Sequence, residues 1–307
     1  MQIITTKTYG QYKIHEVLCK QALHKVKGQF PYSWDFNAYR GCQHGCQYCY
    51  ALYSHAYLNA QNYFKEYYVK TNIVEQLERQ LAAKSWQHQM INLGSVTDHY
   101  QPLEKNYQLM PEIWRLLIRY QNPVAISTKS DLILRDYDLI AKLASLTYVN
   151  IAATITTMDE SLRQKLEPQT ASSRKRFAML KAFRQTNAVI GVHIMPVIPY
   201  LTDSTENLAA IFQASTAIDA HYILPGLLHL RGQTKVHFFE FLRHHYPQQV
   251  GKLLQLYQTG SLDQNYKKEY RQQILALRQT YQQWDTYQTV LAKRFPKQPL
   301  SEQLSLF

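Results

Sequence analysis

From Asn37 onward, short β-branched runs alternate with longer amphipathic stretches, a pattern that predicts βα units around a parallel sheet. The candidate strands are Met90 to Gly94, Val124 to Thr128, Tyr148 to Thr154, Val189 to Met195 and His221 to Pro225. Between them a helical period runs over Asn72 to Lys84, Pro111 to Tyr120, Asp136 to Ala144, Ser172 to Thr186 and Thr205 to Ala217. Pro111 suits the first turn of a helix, where its missing N–H is no loss. One more strand just before Cys42 makes about six units, fewer than the eight of a closed barrel. The expected fold class is therefore α/β, an open partial (β/α)6 TIM-type barrel.

Beyond Pro225 the pattern turns helical over Val236 to His245, Val250 to Tyr257 and Gln264 to Ala292, with a break at Gly260-Ser261. Met1 to Asp35 shows no strong period. The chain thus divides into an N-terminal extension (1–35), the partial barrel (36–230), a helical C-terminal region (231–295) and an extended tail (296–307). No internal repeat is visible.

The 307 residues are 46% hydrophobic, enough for a sizeable core and against a disordered chain. No signal peptide stands out at the polar N-terminus, and no apolar run approaches the roughly 20 residues of a membrane span. A cytoplasmic protein without a membrane partner is expected. Net charge is +12. That is compatible with simple solubility, but it also suits a polyanionic partner such as nucleic acid, whose phosphates Lys and Arg neutralise. The 24 tyrosines could stack on unpaired bases or serve the core.

Three of the four cysteines lie within eight residues, as Cys42, Cys46 and Cys49. Such a cluster does not read as a disulfide framework; in a reducing compartment it holds metal. Three thiolates on a four-iron cluster leave one iron open to a small molecule, whereas a closed site has four ligands. His44 would complete a Cys3His zinc site as an alternative. Cys19, the spare cysteine, reads as a buried inert thiol.

Polar clusters fall at the predicted strand ends, where barrel active sites sit. They are Ser95 to Glu104 with Asp98, Tyr100 and Gln101, then Ser127 to Asp131 with Lys129, then Thr154 to Thr157, followed by Glu167-Pro168 and Arg176. Singly, each has a plain structural role: Asp98 as a turn or cap residue, Lys129 as a solvated charge, Thr154 as a partner for strand-end backbone.

As a set they carry a resemblance. The runs N-x-Y-R-G-C-x-H-x-C-x-Y-C-Y-A, S-V-T-D-x-Y-Q-P-x-E, T-K-S-D-L-I-L-R-D, T-I-T-T-x-D, the Glu-Pro pair with Arg176 nine residues after the Glu, and P-V-I-P-x-L-T-D resemble the spore photoproduct lyase-like radical S-adenosylmethionine (SAM) proteins over roughly Asp35 to Tyr246. The resemblance implies a [4Fe-4S] cluster on Cys42, Cys46 and Cys49. It implies SAM contacts from Lys129 and Thr154, helped by Ser95 and the backbone near Tyr48, and a reductant such as flavodoxin or ferredoxin. Asp98, Tyr100, Gln101, Glu104, Glu167 and Arg176 become candidate substrate residues. The expected reaction is reductive cleavage of SAM to a 5'-deoxyadenosyl radical, acting on DNA in repair or modification. One feature departs: the family's hydrogen-returning cysteine at the end of the second strand has no counterpart in Leu93-Gly94-Ser95-Val96. The thymine-dimer reaction is therefore not carried over.

The last five residues, with Gln303, Leu304, Leu306 and Phe307, follow Pro296 and Pro299 and resemble the peptide by which bacterial repair proteins dock on the sliding clamp. Leu306 and Phe307 would fill an apolar pocket, with Gln303 as a hydrogen-bonding anchor. The same apolar residues could instead fold back onto their own domain. Two further functions stay open: the same chemistry on a peptide or small metabolite, and a non-catalytic iron–sulfur module that binds nucleic acid or the clamp.

Overall fold

Six parallel strands pair in chain order in this computed structural model, which describes residues 1–28, 30–58, 60 and 62–295. The strands of the chain are β1 (Gln2–Tyr9), β2 (Tyr12–Leu18), β3 (Leu23–Lys25), β4 (Trp34–Phe36), β5 (Tyr39–Arg40), β6 (Glu66–Lys70), β7 (Ile91–Leu93), β8 (Val124–Thr128), β9 (Val149–Thr154), β10 (Val189–Val197) and β11 (Tyr222–Leu227). One sheet runs β11-β10-β9-β8-β7-β4-β3, with only β3 antiparallel to its neighbour. Its edge strands β3 and β11 do not pair with each other, so the barrel is open.

The strands read as near-continuous apolar runs because both of their faces are covered. On β9, Val149, Ile151 and Ala153 join the helix-facing core with Ile190, Val192 and Ile126. The alternate residues Asn150, Ala152 and Thr154 face the barrel interior. The floor of that interior is closed by Met90, Tyr148, Tyr222 and, from the helix Tyr287–Arg294, Tyr287 and Val290.

The connecting helices follow from the 3.6-residue period. Helix Leu109–Arg119 buries Met110, Ile113, Trp114 and Leu117 completely, and each contributes about 1.5–3 kcal/mol of burial. Helices Ser173–Phe183 and Thr205–Ala217 start at Ser172 and Ser204, whose hydroxyls accept the backbone N–H of Lys175 and Asn207.

Two expectations need correction. Met1 to Asp35 is not irregular: β1, β2 and β3 form there, and β4 spans the 35/36 boundary. Its period was hidden because β1 is exposed along its whole length, so no buried face imposes alternation. β1 and β2 join β6 and β5 in a second sheet of order β1-β2-β6-β5. The stretch Gln264 to Ala292 is two helices, Gln264–Tyr281 and Tyr287–Arg294, separated where Gln282 turns left-handed (φ 54°). The C-terminal helices pack on the barrel: Tyr270, Ile274 and Leu277 belong to its main core, and Phe238, Phe239 and Leu242 pack with Cys46 and Tyr48. No helix among the described residues is long and apolar enough to cross a membrane. The tail residues Gln303, Leu304, Leu306 and Phe307 lie outside the described residues.

Candidate active site

The cysteine loop follows β4 and the short strand β5 and is built by close turns. Gly41 and Gly45 both adopt positive φ (78° and 68°), and a Cβ on Gly41 would stand 2.8 Å from the Glu66 carbonyl oxygen. Gln101 holds the loop from behind. Its amide oxygen accepts the Gln43 N–H (2.8 Å), and its Nε2 donates to the Gly41 carbonyl (3.2 Å) and to Thr97 Oγ1 (2.9 Å). Asp98 Oδ2 sits 3.4 Å from His44 Nδ1, while the carboxylate accepts from the Thr128 hydroxyl and the Lys129 and Tyr100 backbone N–H groups. Burial opposes its ionisation, but His44 and these donors hold the carboxyl well below its ordinary range.

A second brace comes from the loop after β9. Tyr48 and Thr156 donate to Glu167 Oε1, and Arg176 Nη2 donates to Glu167 Oε2 at 2.5 Å. Arg176 also donates to the carbonyls of Thr154 (2.7 Å) and Ala171 (2.8 Å). Glu167 and Arg176 are both fully buried. Backbone bonds from Gln47 N–H to Leu166 and from Gln169 N–H to His44 stitch the two loops together.

The structure thus assembles the expected residues in three ways. Asp98, Gln101, Glu167 and Arg176 brace the cysteine loop. Tyr100 and Glu104 lie further back: Tyr100 donates to Asp136 and accepts from Trp114, while Glu104 accepts from Tyr39, Arg135 and the Leu109 and Met110 N–H groups. Both are fully buried among these partners. Ser95 donates to Asp35 and accepts from Asn37, engaging its hydroxyl at the end of β7.

The remaining groups are free. The Lys129 ammonium, 5.8 Å from the Tyr48 ring, has no hydrogen-bond or ion-pair partner among the described residues. Burial opposes its charge, but Cys46, Glu167 and Asp98 raise its affinity for the proton, so it stays cationic. The Thr154 hydroxyl and the Tyr48 backbone groups likewise make no hydrogen bond among the described residues.

A polar chain in the barrel interior went unread in the sequence. Ser127 Oγ contacts His193 Nδ1 (3.3 Å), His193 Nε2 contacts the Tyr222 hydroxyl (3.0 Å), and Tyr222 donates to Asn150 (3.0 Å). Burial and Lys129 push the His193 imidazole down to about 4, so the ring is neutral. The available signal was a polar residue in register with Gly191 on an otherwise aliphatic strand, hence on its inward face.

Residues 36–211 match the Radical SAM superfamily, more than half of the chain. This chain belongs to the Radical SAM superfamily. A relative described as an uncharacterised protein of Mycobacterium bovis is 35% identical over 269 residues, covering 86% of this chain and 79% of the relative. Another, from Methanocaldococcus jannaschii, is 32% identical over 168 residues, covering 54% and 61%. Among solved structures, a point mutant of spore photoproduct lyase superposes with a TM-score of 0.63 at 12% identity, covering 92% of this chain and 79% of that one. A mutant of the same enzyme with bound AdoMet and dinucleoside spore photoproduct gives 0.57 at 13% identity, covering 76% and 66%. At such identities the likeness is one of fold. The protein is a radical SAM enzyme built on an open α/β barrel.

Its family implies a [4Fe-4S] cluster and SAM, and the donor set fits. Burial pushes the Cys46 thiol up to about 12 and raises Cys42 and Cys49 as well, so the three become thiolates only beside added positive charge. Among the described residues no three His, Cys, Asp or Glu side chains converge on one ion. A cubane places each cysteine on a different iron and needs no such convergence. A single zinc ion needs it, and His44 faces Asp98 instead. Two concavities of about 720 and 520 Å³ adjoin this loop; they touch Gln43 and His44 but no thiol.

Proposed function

We propose that this protein binds a [4Fe-4S] cluster through Cys42, Cys46 and Cys49, cleaves SAM reductively and acts on DNA. The observation that carries the reading is the pairing of three clustered thiols, Cys46 buried and Cys42 and Cys49 half-buried, with the Lys129 ammonium and the Thr154 hydroxyl, which have no hydrogen-bond partner among the described residues. Held by Cys42, Cys46 and Cys49, such a cluster would supply the electron for reductive cleavage of SAM, the radical chemistry that would act on the substrate. The protein's part is position. Lys129 is suited to the carboxylate of SAM, because its charge is maintained by the Glu167 and Asp98 carboxylates around it. Thr154 offers a hydroxyl, and Tyr48 its backbone N–H and C=O. The Glu167–Arg176 pair locks the Tyr48 ring and keeps the cysteine loop against the barrel. The neutral His193 adds no second positive charge beside Lys129.

DNA is favoured as substrate by the +12 charge. The C-terminal peptide with Gln303, Leu304, Leu306 and Phe307 would place the enzyme near the sliding clamp. The end of β7 carries Ser95 where a thiol would be needed to return hydrogen, so the reaction differs from thymine-dimer reversal.

The test is anaerobic reconstitution, iron analysis, and turnover with dithionite and deuterated DNA. Expected are about four irons per chain, release of 5'-deoxyadenosine, and deuterium within it. An intact cluster that leaves SAM uncleaved sinks the reading, and cleavage with no deuterium from DNA removes the DNA part.

A further inference from the structure

The cysteine loop runs directly into a 3-10 helix, Tyr50–Leu58, of sequence Tyr-Ala-Leu-Tyr-Ser-His-Ala-Tyr-Leu. Its inner side buries Ala51, Leu52, Ser54 and His55. With three residues per turn, Tyr50 and Tyr53 share the outer side. Tyr50, Tyr53 and Tyr57 are 60%, 51% and 81% exposed, an unusual concentration of bare aromatic surface next to a cluster loop. The Tyr50 hydroxyl donates to the Ser95 carbonyl at the end of β7, fixing one edge at the barrel mouth and leaving the face open. Tyr53 and Tyr57 stand edge to face, with centroids 6.3 Å apart.

An unused cation adjoins them. The guanidinium of Arg40, half-buried beside Tyr53 and Tyr63, makes no hydrogen bond and no ion pair among the described residues, and its Nε is buried without a partner. Asp35, the nearby carboxylate, is engaged by Ser95, Asn37 and Asn92. A half-buried guanidinium left unpaired calls for an anion, and phosphate is the anion its planar fork fits best. The helix Tyr50–Leu58 contains no acidic residue. Against it packs the helix Gly232–His245, anchored by Thr234, whose hydroxyl donates to the Cys49 carbonyl (3.0 Å); the exposed Arg231 and the half-buried Lys235 flank Thr234 in the chain.

Building on the DNA reading above, we propose that Tyr50, Tyr53 and Tyr57 form a stacking platform for unpaired bases of single-stranded DNA, with Arg40 taking a phosphate beside them. Aromatic faces with adjacent cations bind single strands because each unpaired base offers a bare π-face, which a duplex hides. The platform abuts Cys49, so a base stacked on Tyr50 stands at the entrance to the barrel. Substrate then enters as a single strand or an extruded nucleotide, not as intact duplex.

The test is fluorescence anisotropy of a short labelled oligonucleotide, single-stranded and as duplex, with the reconstituted protein. The single strand is expected to bind at least about tenfold more tightly than the duplex. The double variant Tyr53→Ala/Tyr57→Ala should lose about tenfold or more, the scale of one lost base–aromatic stack, while Tyr53→Phe/Tyr57→Phe keeps its affinity. Arg40→Gln should flatten the salt dependence by about one phosphate contact. Iron content and circular dichroism check that each variant is folded. Equal affinity for duplex, or an alanine variant that binds like the parent, overturns the platform. In that case deuterium transfer from DNA in the unaltered protein would still stand, so the two readings fail separately.

Discussion

The polar groups behind the cysteine loop and those in front of it are built on opposite terms. Behind it, Glu167 and Arg176 satisfy each other in full burial, Gln101 saturates the Gly41–Gln43 backbone, and Glu104 collects four donors. In front of it, Lys129 and Thr154 have no protein partner for their ammonium and hydroxyl among the described residues. Satisfied networks rigidify a structure; unsatisfied polar groups cost stability and are kept where a ligand completes them. The first region makes the loop hold still, and the second leaves an ammonium and a hydroxyl open for a ligand to complete.

That contrast predicts unequal costs of mutation. The largest belongs to Arg176→Ala, which strands the buried Glu167 charge: about 3–5 kcal/mol of unfolding free energy is expected to go, measured by chemical denaturation. A loss under 1 kcal/mol would mean that this pair is no brace.

Next comes an effect of pH at His99. Burial, assisted by Lys70, pushes its imidazole down to about 4 from 6.5, with Asp98 opposing. Its Nε2 accepts the Ala38 N–H in the neutral form. Protonation favours the unfolded chain, so the contribution of His99 is complete above pH 6.5 and falls away as pH drops toward 4. About 3 kcal/mol is expected to be lost across that window, and His99→Gln should flatten the slope. A wild-type stability that does not change between those limits contradicts the buried neutral ring.

A smaller effect is expected from Glu104→Gln, which keeps the shape but removes the charge facing Arg135: about 1–3 kcal/mol, read as a lower Tm. Smallest for stability is Lys129→Ala, within about 0.5 kcal/mol or slightly stabilising. Here the loss should appear in SAM affinity by isothermal titration, about tenfold or more. A Lys129 variant that unfolds the protein but binds SAM normally would reverse the comparison.

Much of this was legible along the chain. Val124–Thr128 and Thr205–Ala217 were bounded to the residue, because their apolar period, bounding turns and, at Ser204, capping chemistry agree. The three cysteines and the strand-end polar runs announced a site. What period and motif did not distinguish was role. Asp98, Tyr100, Gln101 and Glu104 lie in one run after β7 and look alike as loop polar residues, yet two of them brace the cluster loop and two serve the core behind it.

Local sequence sets which residues can face inward, since a strand alternates and a helix turns every 3.6 residues. It therefore determined the six βα units, the thiol loop and the polar ends. Only the tertiary structure decided which polar groups find partners, because donors and acceptors of Glu167, Arg176, Asp98 and Lys129 come from strands and loops far apart in the chain. It also decided that Tyr50, Tyr53 and Tyr57 stay bare beside Arg40, whose guanidinium is unpaired among the described residues: no local rule says which side of a short 3-10 helix the barrel will cover.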